Sequence, residues 1–331
     1  EMCIRDRDHV LSAGKEKLLS AYSPLLSEAR QLYSMLTVAD REPAKATLSD
    51  GEVEVTMSNW SSLIKKAKTA EDRQAIFTAL YKYYDERKNA YAEIYNLGLK
   101  GQLATMRGRG YKSILDTHLY DDAIPEEVFS SLIEVASTNT KPLHEYYELR
   151  AKALGLEKHR SYDRFLPLAE SEASYTYEQA KQTFFDSIKE FPADFQAKAH
   201  EVLKPGFVDV YPSDGKRTGA YSNGGYDFHP YILLNFNGEL NDVFTLAHES
   251  GHSIHTLYAE EHQPTLLQDY TIFVAEIAST FNEHNLVDYL LKSDKLTKQD
   301  KIFLLQKEID EIVSTFYRQT SVSYTHLTLP T

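Results

Sequence analysis

Residues 245–256 read Thr-Leu-Ala-His-Glu-Ser-Gly-His-Ser-Ile-His-Thr. Within them, His248-Glu249-Ser250-Gly251-His252 is an H-E-x-x-H pattern. Val243, Phe244, Leu246, Ala247, Ile254, Leu257 and Tyr258 surround it with a helical apolar period. On a helix, positions i and i+4 share a face about 6 Å apart along the axis, so two imidazoles there reach one Zn2+ at about 2.0–2.1 Å. Glu249 is turned about 100° from His248, which aims it at a water on the metal rather than at the metal. That is the placement of a general base. Gly251 costs such a helix about 1 kcal/mol against alanine, so close approach by another element is expected there. The plainer alternative, two core histidines with an incidental glutamate, would bury His-Glu-His unpaired at high cost.

Catalytic zinc takes three protein ligands and keeps one position open. His255 shares the face but lies about 10 Å of rise from His248, out of reach unless the helix breaks. His262 would have to fold back through a turn, and with Tyr at 258 the longer His-Gly-His spacing of metzincins is missing. Glu276 lies in the next apolar run, Phe273 to Glu283, where a carboxylate needs a partner and a metal is a strong one. It is the preferred third ligand over an ordinary solvated glutamate. Glu283, seven residues on, shares its face and either accepts a hydrogen bond from a ligand histidine or faces solvent.

Upstream of the motif, Phe207–Tyr211 and Tyr231–Phe236 read as strands, with Gly219, Gly224 and Gly225 as turn material between them. Asn241-Asp242 offers the N-cap of the motif helix. Most of the remainder reads as amphipathic helix: about 8–37, two helices from Trp60 to about Met106, one opened by Pro125, one ending near Gly155, and one over 177–191. Glu52–Met57 alternates apolar and charged residues, as a short strand or an extended link would. Tyr81, Tyr83, Tyr84, Tyr91 and Tyr95 sit at helical spacing and read as half-buried packing residues. The predicted fold is mainly α, with a small β-sheet beside the H-E-x-x-H helix.

The 331 residues are 42% hydrophobic and carry a net charge of -13, which argues against a nucleic-acid partner. No run of 18 apolar residues marks a membrane span. A single cysteine, Cys3, excludes a disulfide framework and fits a reducing compartment. The first seven residues lack the apolar core of a signal peptide.

The stretch from Phe207 to Glu283 resembles the oligoendopeptidase F branch of the thimet-oligopeptidase-like zinc peptidases. The matching pieces are Lys216 to Ser222, His229-Pro230 through Phe236, Leu246 to His255, and Phe273 to Glu283, joined upstream by Arg109 to Ser113 and Leu154-Gly155-Leu156. The resemblance extends over about residues 8–320. It implies a helical fold around a channel that admits oligopeptides, one Zn2+ held by His248, His252 and Glu276, Glu249 as base, and a cytoplasmic location. The expected activity is zinc-dependent endopeptidase hydrolysis of short oligopeptides. Tyr221, His229 and Tyr231 are candidate substrate contacts, and the strand Tyr231–Phe236 is expected to pair with substrate at a sheet edge. An aminopeptidase would need an acidic anchor for the substrate amine, and no such motif precedes His248.

Two departures from the family pattern stand out. Residues 321–331, Ser-Val-Ser-Tyr-Thr-His-Leu-Thr-Leu-Pro-Thr, replace an expected helical continuation and, like residues 1–7, look like translated adaptor text. The family's later His and Tyr, which contact the substrate carbonyl, have no counterpart before residue 331. The expectation is a fragment: a non-native leader at 1–7, a partial N-terminal helical domain at 8–90, a truncated catalytic domain at 91–320 and a non-native tail at 321–331. Its alternative function is to bind zinc or peptide without turnover. The helix ending near Thr320 is expected to break there, and Ile302, Phe303, Leu304, Ile309, Ile312, Val313 and Phe316 are expected to be exposed.

Overall fold

The computed structural model describes residues 8–57, 59–169, 171, 173–213, 216–217, 219–225, 228–293 and 296–322. Helices dominate these residues, with two small sheets, so the mainly α expectation holds. The leader at 1–7 and nearly all of the tail, 323–331, lie outside the described residues. The chain divides into two compact units, residues 168–319 and the rest. The division expected at residue 90 falls instead inside a continuous helix, Lys88–Arg109.

The first unit contains α1 (Ala13–Ser34), a hairpin of β1 (Ala44–Leu48) and β2 (Gly51–Val55), then α2 (Trp60–Lys66), α3 (Ala70–Glu86), α4 (Lys88–Arg109), α5 (Ile114–Leu119), α6 (Glu126–Thr138) and α7 (Lys141–Ala153). The span read as two helices is three, because Thr69 caps a fresh start: its hydroxyl accepts the Asp72 amide. Gly110 ends α4 with φ 78° and Gly155 follows α7 with φ 63°, both in the left-handed region glycine favours. Val55, Ile64, Ile76, Leu80 and Tyr162 form the core. Tyr83, Tyr84 and Tyr91 are half-buried in an aromatic ladder, with Tyr81 exposed at its margin, and Tyr95 is exposed.

Buried charge holds the end of this unit. Arg150 on α7 is fully buried and donates to the carbonyls of Asp163, Arg164 and Leu166 and to the Tyr146 hydroxyl. The Asp163 carboxylate accepts from Arg73 Nε at 2.8 Å and from the Arg160 amide at 2.8 Å.

The second unit contains α8 (Tyr177–Ser187), α9 (Ala193–Val202), β3 (Val208–Asp209), β4 (Tyr221–Gly225), β5 (Phe228–Leu233), α10 (Leu240–His262), α11 (Ile272–Lys292) and α12 (Lys298–Ile312). Its core gathers Phe184, Ile188, Val243, Phe244, Leu246, Ala247, Leu286 and Leu304. The sheet runs β3–β5–β4, with β3 parallel and β4 antiparallel to β5. The strand expected at a sheet edge is therefore central: β3 pairs with it on one side, through Val208–Ile232 and Asp209–Leu233, and β4 on the other. Gly224 and Gly225 are strand residues and not turn material. A Cβ at Gly224 would lie 3.0 Å from Thr256 Cγ2 and 3.2 Å from Pro230 Cα, so glycine lets β4 approach α10. The cap of α10 falls at Glu239, with Asp242 closing the capping box, rather than at Asn241-Asp242. In α12, Leu304 is buried and Phe303 packs on the core, against expectation, while Ile309 and Ile312 are exposed. Helical conformation continues to Val322, so the break expected near Thr320 does not occur within the described residues.

Candidate metal centre and active site

Helices α10 and α11 cross at Gly251. A Cβ there would stand 2.7 Å from Ala278 O and 2.7 Å from Ser279 Cα, closer than any real side chain tolerates. Only glycine permits this crossing, as the helix-cost argument anticipated. Asn282 of α11 pins the pair by donating to the Ala247 carbonyl at 3.2 Å.

The crossing brings Glu276 to the two motif histidines. His248 Nε2 and His252 Nε2 lie 3.1 Å apart, and Glu276 Oε2 is 3.4 Å from each. Edges of a tetrahedron with zinc-length arms are about 3.3–3.4 Å, so this donor set fits a small divalent cation. It is the one group of His, Cys, Asp and Glu donors among the described residues gathered closely enough to hold a metal. The Ser279 hydroxyl donates to Glu276 Oε2 at 2.8 Å and steadies it. The side chain of Glu276 is nevertheless 58% exposed, and its apolar neighbours Ile272, Phe273, Ile277 and Phe281 are exposed too, so it is not the enclosed carboxylate its sequence context suggested.

Glu283 is buried, not solvent-facing. Its Oε1 accepts from His248 Nδ1 at 2.7 Å and its Oε2 from Lys307 Nζ at 2.5 Å. Burial pulls the His248 pKa down, but the Glu283 carboxylate, with Glu249 and Glu276, holds it above its ordinary value. His252 goes the other way, lowered by burial and by His248. Glu249 is only 6% exposed. Burial pushes its carboxyl up to about 7, with His248 opposing, Glu276 adding and the Ser222 backbone N–H partly offsetting. Ser222 lies on β4, and its hydroxyl meets that of Ser253 on α10 at 2.8 Å. Strand β4 is thus fastened beside the motif.

Other residues singled out in the sequence go elsewhere. His255 stacks on Tyr270 at 3.8 Å, and His262 Nδ1 lies 3.0 Å from the Tyr258 carbonyl. His229 stacks on Phe207 at 3.6 Å and donates from Nδ1 to the Pro230 carbonyl. Tyr221 and Tyr231 are exposed on β4 and β5. Ser222, Ser253, Ser279 and Lys307 were not singled out. Of these, only Ser279 carried a signal, at i+3 from Glu276.

The description Peptidase family M3 matches residues 63–329, and Oligopeptidase F matches residues 1–42. Oligopeptidase PepF of Bacillus subtilis (strain 168) is 36% identical over 322 residues, covering 97% of this chain and 48% of that protein. Group B oligopeptidase PepB of Streptococcus agalactiae serotype III (strain NEM316) is 34% identical over 321 residues, covering 97% and 53%. The crystal structure of oligoendopeptidase-F from Enterococcus faecium superposes with a TM-score of 0.71 at 25% identity, covering 99% of this chain and 53% of that one. The chain spans about half the length of the curated relatives it matches. A match that runs through both helices of the crossing and over most of the sequence leads to one conclusion: the chain belongs to peptidase family M3.

Proposed function

We propose that residues 168–319 carry the zinc-binding and proton-transfer core of an endopeptidase acting on short oligopeptides. The observation that carries this reading is the triangle of donors at 3.1–3.4 Å with buried Glu249 beside it. His248, His252 and Glu276 would hold one Zn2+. When bound, zinc acidifies its water towards a pKa of about 7 and polarises a carbonyl. Glu249, buried beside these three donors, is placed to take a proton from water and return it to the leaving amine. The Ser222 amide holds that carboxylate in place from β4. Strand β4, not β5, ends the sheet, so an extended peptide would pair along Tyr221–Gly225, with Tyr221 beside it. Main-chain pairing of this kind tolerates varied side chains. No helix among the described residues is long and apolar enough to cross a membrane; a cytoplasmic location, implied by the family resemblance, belongs to the same proposal.

The test is metal analysis combined with cleavage of an internally quenched oligopeptide, for this chain and for a full-length relative. One zinc per chain, lost in His248→Ala, is expected. Zinc retained in that variant overturns the ligand assignment. Zinc bound by this chain without turnover, while the full-length relative cleaves, selects the second reading: a metal- or peptide-binding portion that does not turn over. The span of half a relative's length favours keeping that reading.

A further inference from the structure

An imidazole can present Nε2 to a metal only when its remaining proton sits on Nδ1, and that proton needs an acceptor. For His248 the acceptor is Glu283 Oε1 at 2.7 Å. A glutamate carboxylate turns about a broad torsion, so one hydrogen bond does not fix its plane. Here the second oxygen is held by Lys307 Nζ, and the lysine is itself held on two sides. Its ammonium stands 4.6 Å from the centre of the Phe244 ring, and Glu311 Oε2 lies 3.8 Å away. Lys307, Glu283 and Glu311 have side chains less than one-fifth exposed, so water competes weakly for these bonds. The anchor is α12, which supplies no donor to the metal centre. That helix is fixed by its Thr297–Asp300 capping box and by Leu304, fully buried one turn before Lys307.

We propose that Lys307 is a positioning residue: acting through Glu283, it locks the His248 ring with Nε2 towards the metal and so sets metal affinity from a third helix. The inference rests on reading His248 as a ligand. A purely structural role, in which the lysine only neutralises the Glu283 carboxylate, would cost folding stability without changing zinc affinity or the His248 tautomer.

The experiment measures Zn2+ affinity by competition with a chromogenic chelator for wild type, Lys307→Met, Lys307→Arg, Glu283→Gln and the Lys307→Met/Glu283→Gln double variant. It also records the His248 tautomer by 15N NMR of the metal-free chain. Loss of a group that orients a ligand from behind costs about 10–100-fold in metal affinity. Lys307→Met should fall in that range, Lys307→Arg should recover most of it, and Lys307→Met should cost nothing further once Glu283 is Gln. At a pH high enough to leave the ring neutral, metal-free wild type should show the Nδ1–H tautomer alone, and Lys307→Met a mixture. An equal loss in both backgrounds, or no loss at all, overturns the inference. So does an Nε2–H tautomer in wild type, a check that needs no substituted protein to fold. Absence of zinc binding by wild type overturns the ligand reading and this inference with it, whereas binding indifferent to Lys307 overturns this inference alone.

Discussion

Each compact unit buries a cluster of charge, and the two clusters are built differently. In the first, Arg150 spends its donors on three carbonyls and a phenol, and the Asp163 carboxylate is covered by Arg73 and a backbone amide. Every charge there has found its partners within the protein. In the second, four carboxylates, Glu249, Glu276, Glu283 and Glu311, face one ammonium, Lys307, and two imidazoles. That cluster carries surplus negative charge in a partly dehydrated place, and burial has already pushed one carboxyl up to about 7. A closed cluster holds the chain together, whereas an open one is completed by something that arrives. Under the proposed function, the arriving charge is divalent.

The hardest blow to this contrast would come from Glu249→Gln. It removes a proton acceptor from the open cluster without removing a donor to the metal, so peptide cleavage should fall about 10²–10⁴-fold with zinc content unchanged. Cleavage within a few-fold of wild type, measured with a quenched peptide in a full-length relative carrying the same change, would remove the base from the mechanism. The closed cluster is tested by Arg150→Met, which strands the Asp163, Arg164 and Leu166 carbonyls. A loss of about 3–5 kcal/mol in urea unfolding is expected, with zinc per folded chain unaltered. A loss under about 1 kcal/mol would mean the cluster is not holding the unit. Gly251→Ala forces a methyl against Ala278 and Ser279, so a destabilisation of about 1–3 kcal/mol and weaker zinc binding should appear together. Unchanged zinc affinity would separate the crossing from the metal centre. The smallest effect concerns pH. The hydroxyl and amide of Ser49 hold the Asp72 carboxyl below its ordinary value. Because the folded chain prefers the ionised form, this stabilisation is present above about pH 3.9 and is lost as pH falls through the lower folded value. The stability gap between wild type and Asp72→Asn should therefore close in acid and not at neutral pH.

The candidate metal centre was the most legible part of the molecule. Metal chemistry dictates residue type and helix geometry dictates spacing, so His248, Glu249 and His252 could be read from five letters, and Gly251 announced the crossing. Glu276 was singled out through its apolar neighbours, although those neighbours face outward. Sheet order was not legible: β3 pairs over two residues and runs parallel, leaving almost no local pattern, so β5 looked like an edge. Glycines in β4 read as a turn because a sequence shows what glycine permits and not what packs against it. Helix α9 was missed because Pro192, which stands at its N-cap, also reads as an interruption. Lys307 looked like any lysine on an amphipathic helix, since the carboxylate it holds, Glu283, lies 24 residues upstream.

The contact at Gly251 also has a mechanical consequence. It acts as a fulcrum on α11, placed close to one end of the beam. Glu276 stands three residues from Ser279, about 4.5 Å along the axis, whereas Lys292 stands thirteen residues away on the other arm, about 20 Å. Rocking about that point shrinks motion by roughly fourfold from the long arm to the short one. A displacement of 1 Å at the far end would therefore reach the Glu276 backbone as about a quarter of an ångström. Disturbances arriving along the distal half of α11 are geared down about fourfold before they reach the donor triangle, whereas a push at Ile272, about 10.5 Å from the fulcrum, would reach Glu276 at a little under half its size.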